Sequence, residues 1–483
     1  MDVQIRRLGI ALLVLFGLLF AQLNNLQFRQ ASRLSNDPRN TRAIVIDFSR
    51  ERGRILAADG TVLADSVPTD DALKRLRRYP EGPLYSPVLG YFSFNYGSDG
   101  AEREFSSELA GRKVTIDNLE DLLAATPQTN DVTLTIQPAV QKAAAAALGN
   151  RRGSVVALDP RTGAVLAMVA FPTFDPNPLA GHDLKAVQRA WNGYQADPGK
   201  PMLPRPYRER YSPGSTFKVV TASAAIGSRP DLASKSYPSL KALDLKGTAR
   251  DLPNFGGSTC GGTLPDLLRV SCNTGFGQLG LDLGGPALRD EALSFGWGER
   301  PPLDLPAPAA SGFPGLAELR TQPQVATSAI GQLDVSASPL QMALVSAAVA
   351  NGGTIVEPHV LSRVTDLRGQ VVRTAETKAW KQPMNAQDAA RLKDLMVGVV
   401  QRGTAGRAAV PGVAVAAKTG TAQTTGDNAH AWITAFAPAD APRVAVAVVV
   451  ESQPGVSEAT GGTIAAPVAQ AVLSAALRVA PTS

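Results

Sequence analysis

Residues 413–451 contain VAVAAKTGTAQ (413–423), HAWITAFAP (430–438) and RVAVAVVVE (443–451), three runs rich in valine, alanine, threonine and aromatic residues. Such runs favour strands, and the connections between them are short. Parallel neighbours would need a crossover of about a dozen residues, so the three runs are expected to form an antiparallel meander. Working outward, TIAAPVAQAVLSAALRVA (463–480) closes the chain as a helix. SPLQMALVSAAVANGG (338–353) reads as another, with a proline early and a double-glycine stop. RGSVVALDPRTGAVLAMVAFPTFDPN (152–177) reads as a hairpin whose connection, Asp159 to Gly163, is structural. Strands interleaved with helices on this pattern give a mixed α+β body.

Before that body lie shorter elements. GRILAADGTVLAD (53–65) is expected to be two strands about an Asp59-Gly60 turn. In DVTLTIQPAVQKAAAAALGN (131–150) a short strand precedes an alanine-rich helix opened near Pro138. LKRLRRYPEG (73–82) is basic and reads as a solvated loop or helix end. The Pro-rich PPLDLPAPAASGFPG (301–315) is expected to be an ordered loop. A boundary near Asn150 separates an N-terminal segment, residues 26–150, from a larger domain, residues 151–483.

At the very start, MDVQIRRLGIALLVLFGLLFAQL (1–23) places Arg6 and Arg7 before an apolar stretch. The length suits a membrane span or a signal core, and no small-x-small cleavage pattern follows. The reading is an uncleaved anchor over residues 8–25 behind a short segment, residues 1–7. Arg29 and Arg33 follow the span much as Arg6 and Arg7 precede it, so flanking charge does not orient it.

Composition narrows the function. Lys and Arg number 48 against 42 Asp and Glu, a spread-out excess, and aromatic residues make up only 6%, unlike a nucleic-acid-binding surface. The three histidines are scattered and the two cysteines lack metal-site spacing, so no metal is expected. Cys260 and Cys272 read equally as small buried hydrophobes or, in an exported domain, as a disulfide closing a short loop.

Chemistry concentrates in three places. In YSPGSTFKVVTA (211–222), Pro213 and Gly214 turn the chain into a helix whose first turn carries Ser215, with Lys218 three residues on. A lysine with a lowered pKa can take the proton of a serine on the same helix face, which makes that serine a nucleophile. By itself the pair is a common helix start. Ser271-Cys272-Asn273 offers a hydroxyl for proton relay and an amide for a substrate carbonyl, or only a helix cap. Lys418-Thr419-Gly420-Thr421, on the first of the three strands, supplies a second cation, two hydroxyls for a carboxylate and a bare backbone. Edge protection would explain the last group alone. It does not explain three such groups in this order.

Together, S-x-x-K, S-x-N and K-T-G resemble the signature of the penicillin-recognising serine enzymes, with Ser-Cys-Asn as the second motif. The resemblance to class B penicillin-binding proteins extends over RGRILAADGTVLA (52–64), GAEREFSSELAG (100–111), LTIQPAVQKAA (134–144) and GQLDVSASPLQMALVSAAVANGG (331–353). YPEGPLYSPVLGYFSFNYG (79–97), STCGG (258–262) and SCNTGFGQLG (271–280) most resemble the actinobacterial penicillin-binding protein A subgroup. The resemblance implies a central antiparallel sheet covered by helices, on a mostly-β, elongated N-terminal pedestal and one membrane helix. It implies a D,D-transpeptidase of peptidoglycan stem peptides, inhibited by β-lactams and needing no cofactor. Ser215 would be acylated, with Lys218 as base, Ser271 and Lys418 as relay, and Asn273 on the substrate amide. Thr419 and Thr421 would hold a terminal carboxylate beside Gly420, and the N–H groups of Ser215 and Thr421 would form the oxyanion hole.

The implied setting is a cell membrane, with the N-terminus cytoplasmic and the large domain outside. Implied partners are a polytopic membrane glycosyltransferase and division or elongation proteins, and no nucleic acid. A D,D-carboxypeptidase, a β-lactamase and a non-catalytic scaffold or β-lactam sensor share the motifs. A bifunctional enzyme would need a glycosyltransferase domain, for which the segment before Asn150 is too short.

Overall fold

A computed structural model describes residues 2–26, 48–111, 129–423, 429–452 and 460–479. Arg29, Arg33 and residues 27–47 of the N-terminal segment lie outside the described residues. The chain falls into two units, Met1–Glu51 with Val67–Leu76, and Arg52–Ser66 with Arg77–Ser483.

The first unit holds a helix, Asp2–Asn24, so Arg6 and Arg7 lie on the helix rather than before it. Its stretch Val3–Asn24 is long and apolar enough to cross a membrane. At 1.5 Å per residue it spans roughly 33 Å, against about 30 Å of hydrocarbon.

In the second unit the strands of the main sheet are β1 (Gly153–Leu158), β2 (Val165–Phe171), β3 (Ala416–Gln423), β4 (Ala429–Ala437) and β5 (Val444–Val450). Their order is β3-β4-β5-β1-β2, antiparallel throughout. The terminal meander therefore forms as expected, with Lys418 opposite Thr434 and Thr434 opposite Ala447. Every residue of β1 and β5 is buried, which explains why VAVAVVV lacks polar alternation. Both faces of these strands need cover.

Helices supply it. They are α1 (Pro138–Leu148), α2 (Lys218–Ser228), α3 (Leu264–Val270), α4 (Asn273–Ser294), α5 (Pro339–Ala350), α6 (Ala386–Arg402) and α7 (Ala466–Arg478). α1 and α7 pack on each other and on the sheet, and α5 packs against β1, β4 and β5. From Pro339 to Val349 no residue of α5 reaches solvent appreciably, as expected of a helix apolar all round. α2, α4 and α6 form a second helical layer joined by α3.

The N-terminal sheet has a less local origin. Ile55–Leu56 pairs antiparallel with Val62–Pro68, as the Asp59-Gly60 turn suggests, and parallel with Asp131–Leu134. Asp131–Leu134 then pairs with Leu361–Thr365, which continues to Val371–Thr374. Strands from the far side of the expected boundary thus complete this sheet, while α1, from the near side, packs on the main one.

The basic segment 73–82 is a correction. Arg77 belongs to a strand, Arg75–Arg78, and is buried, not solvated. Glu102 takes Nε of Arg77 at 2.6 Å and Nε of Arg52 at 2.7 Å, and all three are buried. Burial pushes the Glu102 carboxyl up, but Arg77 and Arg52 more than offset it and hold it below the usual range.

Candidate active site

The Ser215 segment is built by two close approaches. Gly214 has φ +51°, and a Cβ there would lie 3.0 Å from the Cα of Ala422 and from the Thr421 carbonyl. Only glycine lets the chain turn this tightly against β3. Gly214 N donates to Gly331 O at 2.9 Å, and Ser212 Oγ donates to the same oxygen at 2.7 Å. Ser215 therefore lies in a single 3₁₀ turn, Gly214–Phe217, directly before α2. A second anchor lies behind it: Tyr211 donates to Glu451 at 2.8 Å, Glu451 pairs with buried Arg205, and Trp432 Nε1 donates to Ser212 O at 3.0 Å.

Ser271 and Asn273 come from the α3–α4 corner. Ser271 ends α3 in the left-handed region, φ +61°, a conformation that costs a non-glycine residue about 1–3 kcal/mol. The corner is held by Asn254, whose Oδ1 accepts from the N–H groups of Asn273 at 2.9 Å and Thr274 at 3.0 Å. It is also stapled by a disulfide between Cys260 and Cys272, with Cα atoms 5.8 Å apart. Of the two readings open for these cysteines, the structure has the bonded one.

These elements converge on two buried amines. Lys218 Nζ donates to Ser271 O and to Asn273 Oδ1, each at 2.7 Å, and lies 3.4 Å from Ser271 Oγ. Lys418 Nζ donates to Ser271 Oγ and to Thr419 O, each at 2.8 Å. Burial, then repulsion from Lys418, brings Lys218 well below its ordinary value. Burial brings Lys418 down to about 7. Two amines buried side by side cannot both hold a proton cheaply.

Above them opens a cleft of about 830 Å³. Ser215, Ser271, Asn273, Thr419, Gly420 and Thr421 line it, with the two lysines beneath. All eight residues expected from the three motifs thus meet in one place. One expected contact is absent: among the described residues no hydrogen bond joins Lys218 to Ser215, because the amine is turned toward the α3–α4 corner. Two participants carried no motif. Asn254 lies outside the three motifs, and so does Thr404, whose Oγ1 lies 2.6 Å from Thr419 Oγ1.

Residues 153–474 match the family profile described as the penicillin binding protein transpeptidase domain, and residues 52–132 match that of the penicillin binding protein A dimerisation domain. The peptidoglycan D,D-transpeptidase PbpA of Mycolicibacterium smegmatis is 42% identical over 99% of both chains. Its namesake from Mycobacterium tuberculosis is 37% identical over the full length of both. The imipenem acyl-enzyme complex of M. tuberculosis penicillin-binding protein A superposes with a TM-score of 0.83 at 35% identity, over 90% of this chain and all of that one. Shared motifs, shared fold and full-length similarity lead to one conclusion: the chain belongs to the penicillin-binding transpeptidases, as a class B penicillin-binding protein.

Proposed function

We propose that Ser215 is the acylated nucleophile through which this chain carries out peptidoglycan D,D-transpeptidation, and that Lys218 is its base. The observation that carries this reading is the pair of 2.7 Å bonds from Lys218 to Ser271 O and Asn273 Oδ1. A neutral amine has two N–H bonds and one lone pair. Both N–H bonds are then spent on the corner, and the lone pair stays free for the Ser215 proton. Burial keeps the amine neutral enough to accept it.

In the forward step, Ser215 Oγ bonds to the penultimate D-Ala carbonyl carbon and its proton passes to Lys218. The N–H groups of Ser215 and Thr421 would steady the oxyanion, a contribution of roughly 3 kcal/mol per donor. The C–N bond then breaks, and the leaving amine takes a proton from Ser271 Oγ, which regains one from Lys218 across 3.4 Å, with the Lys418 amine assisting the relay from 2.8 Å, so that Lys218 is neutral again. An amine from a neighbouring stem attacks the ester carbon and gives up a proton to Lys218, and as the ester C–O bond breaks Lys218 passes that proton to Ser215 Oγ, which regenerates the enzyme. Asn273 would hold the substrate amide, and Thr419 and Thr421 its terminal carboxylate beside Gly420.

A β-lactam would follow the first half and stop there. Among the described residues lining the cleft there is no carboxylate to activate a hydrolytic water, which favours transfer over hydrolysis. The anchor helix and the disulfide fit a large domain outside the membrane with the N-terminus cytoplasmic, where a polytopic glycosyltransferase would supply glycan strands. The test is labelling with fluorescent penicillin. Stable label on the wild type and none on Ser215→Ala is expected. Label persisting on Ser215→Ala would refute the assignment, and label lost within seconds would make the enzyme a hydrolase.

A further inference from the structure

Beyond the three motifs, the cleft wall contains one charged side chain among its described residues, Arg407. The others there are hydroxyls, amides, glycines and apolar groups. Position makes this cation informative. Arg407 sits in a one-turn helix, Gly406–Ala408, whose base is fixed by buried Ala405 and Ala408 and by the bond from Ala405 N to Val399 O. Its guanidinium reaches the turn at residues 460–463, with Nη1 3.5 Å from Thr463 O. That turn lies directly on β3: a Cβ on Gly461 would come within 2.5 Å of Gly420 O and 2.1 Å of Trp432 O. Thr404, three residues before Arg407, packs on the same turn, where a Cβ on Gly462 would come within 2.5 Å of its carbonyl oxygen, and bonds Thr419. Arg407 therefore flanks β3 near Thr419–Gly420, on the wall of the cleft that Ser215 also lines.

We propose that Arg407 is a specificity-determining residue that engages the terminal carboxylate of the donor, the carboxylate carried by the departing D-amino acid, together with the Thr419 and Thr421 hydroxyls. The inference rests on the transpeptidation reading above, in which that carboxylate lies along β3. The chemistry of the alternatives supports it. Lys218 and Lys418 are engaged in proton transfer, and burial lowers both, so neither supplies a permanent positive charge. A guanidinium keeps its charge at every working pH and offers a planar fork matched to a carboxylate. Side-chain hydroxyls alone would bind a neutral amide or ester terminus nearly as well. A cation makes the difference between them.

The experiment compares acylation of the full chain by benzylpenicillin and by its methyl ester, which removes the carboxylate charge and leaves the β-lactam. Arg407→Gln is expected to slow acylation by the free acid roughly ten- to a hundred-fold and to leave the ester within two-fold, because only the acid loses a charge-assisted bond. Arg407→Lys is expected to recover part of the acid rate. An equal loss for acid and ester would make Arg407 a structural support, and no loss for either would remove it from recognition; each overturns the proposal. Failure of the Ser215 assignment would look different, since wild-type label would then map to another residue.

Discussion

Lys218 Nζ and Asn273 Oδ1 are 2.7 Å apart across 55 residues of sequence, and the contact is what aims the amine. A carboxylate in place of the amide would favour the protonated amine and raise its pKa. Asn273→Asp should therefore move the acidic limb of the acylation rate toward higher pH and slow acylation near neutrality. In the wild type the rate should rise with pH and level off well below 10.5, because Lys218 is already lowered. Acylation by a fluorescent penicillin, followed from pH 6 to 10, measures both. A limb that stays put in the variant would mean another group sets it.

Lys418 makes a prediction about stability. Its folded value is about 7 against 10.5 for the free side chain. Between these limits the unfolded chain holds a proton that the native chain does not, so stability falls as pH drops from about 10.5 towards about 7 and levels off below that, where both states are protonated. Lys418→Met should flatten this part of the curve. Urea midpoints of both proteins at pH 7 and pH 10 give the comparison, and an identical pH dependence would contradict the assigned shift.

The α3–α4 corner has two independent fixings, Asn254 and the Cys260–Cys272 bond. Removing the bond with Cys260→Ala/Cys272→Ala opens a short loop and should cost about 2–3 kcal/mol. Losing the cap with Asn254→Ala should cost about 1 kcal/mol. Acylation should fall more for Asn254→Ala, since Asn254 holds the backbone of Asn273 itself. Thermal midpoints and penicillin acylation rates separate the two effects. Unchanged acylation in Asn254→Ala would show that the corner needs no such support.

Glu102 neutralises two buried arginines, Arg52 and Arg77. Glu102→Ala would leave both cations buried without a counter-charge, a loss of about 3–5 kcal/mol. The thermal midpoint of the full chain should drop steeply while any folded fraction still labels with penicillin, because the cluster lies outside the cleft. A midpoint shift within one degree would show that the arginines find other partners or water.

How much of this was legible in advance follows from the range of each interaction. The meander of β3, β4 and β5, the starts of α2 and α5, and the apolar anchor helix depend on periodicity, proline and glycine within a few residues, and these are written locally. The three motifs were legible because a reaction needs particular groups, whatever the intervening chain does. By contrast, nothing near residues 73–82 says that Arg77 will meet Glu102 in the interior. Nothing near Asp131–Leu134 says that it will pair with Leu361–Thr365.

The same division runs through the site. The sequence by itself determined which chemical groups are present, the helix that presents Ser215 and the strand that carries Lys418 to Thr421. Tertiary structure decided where the Lys218 amine points, that Asn254 pins the corner, that Thr404 bonds Thr419, and that Arg407 flanks β3. Those contacts join segments distant in the chain, and their energy exists only once packing has excluded water and brought the segments together.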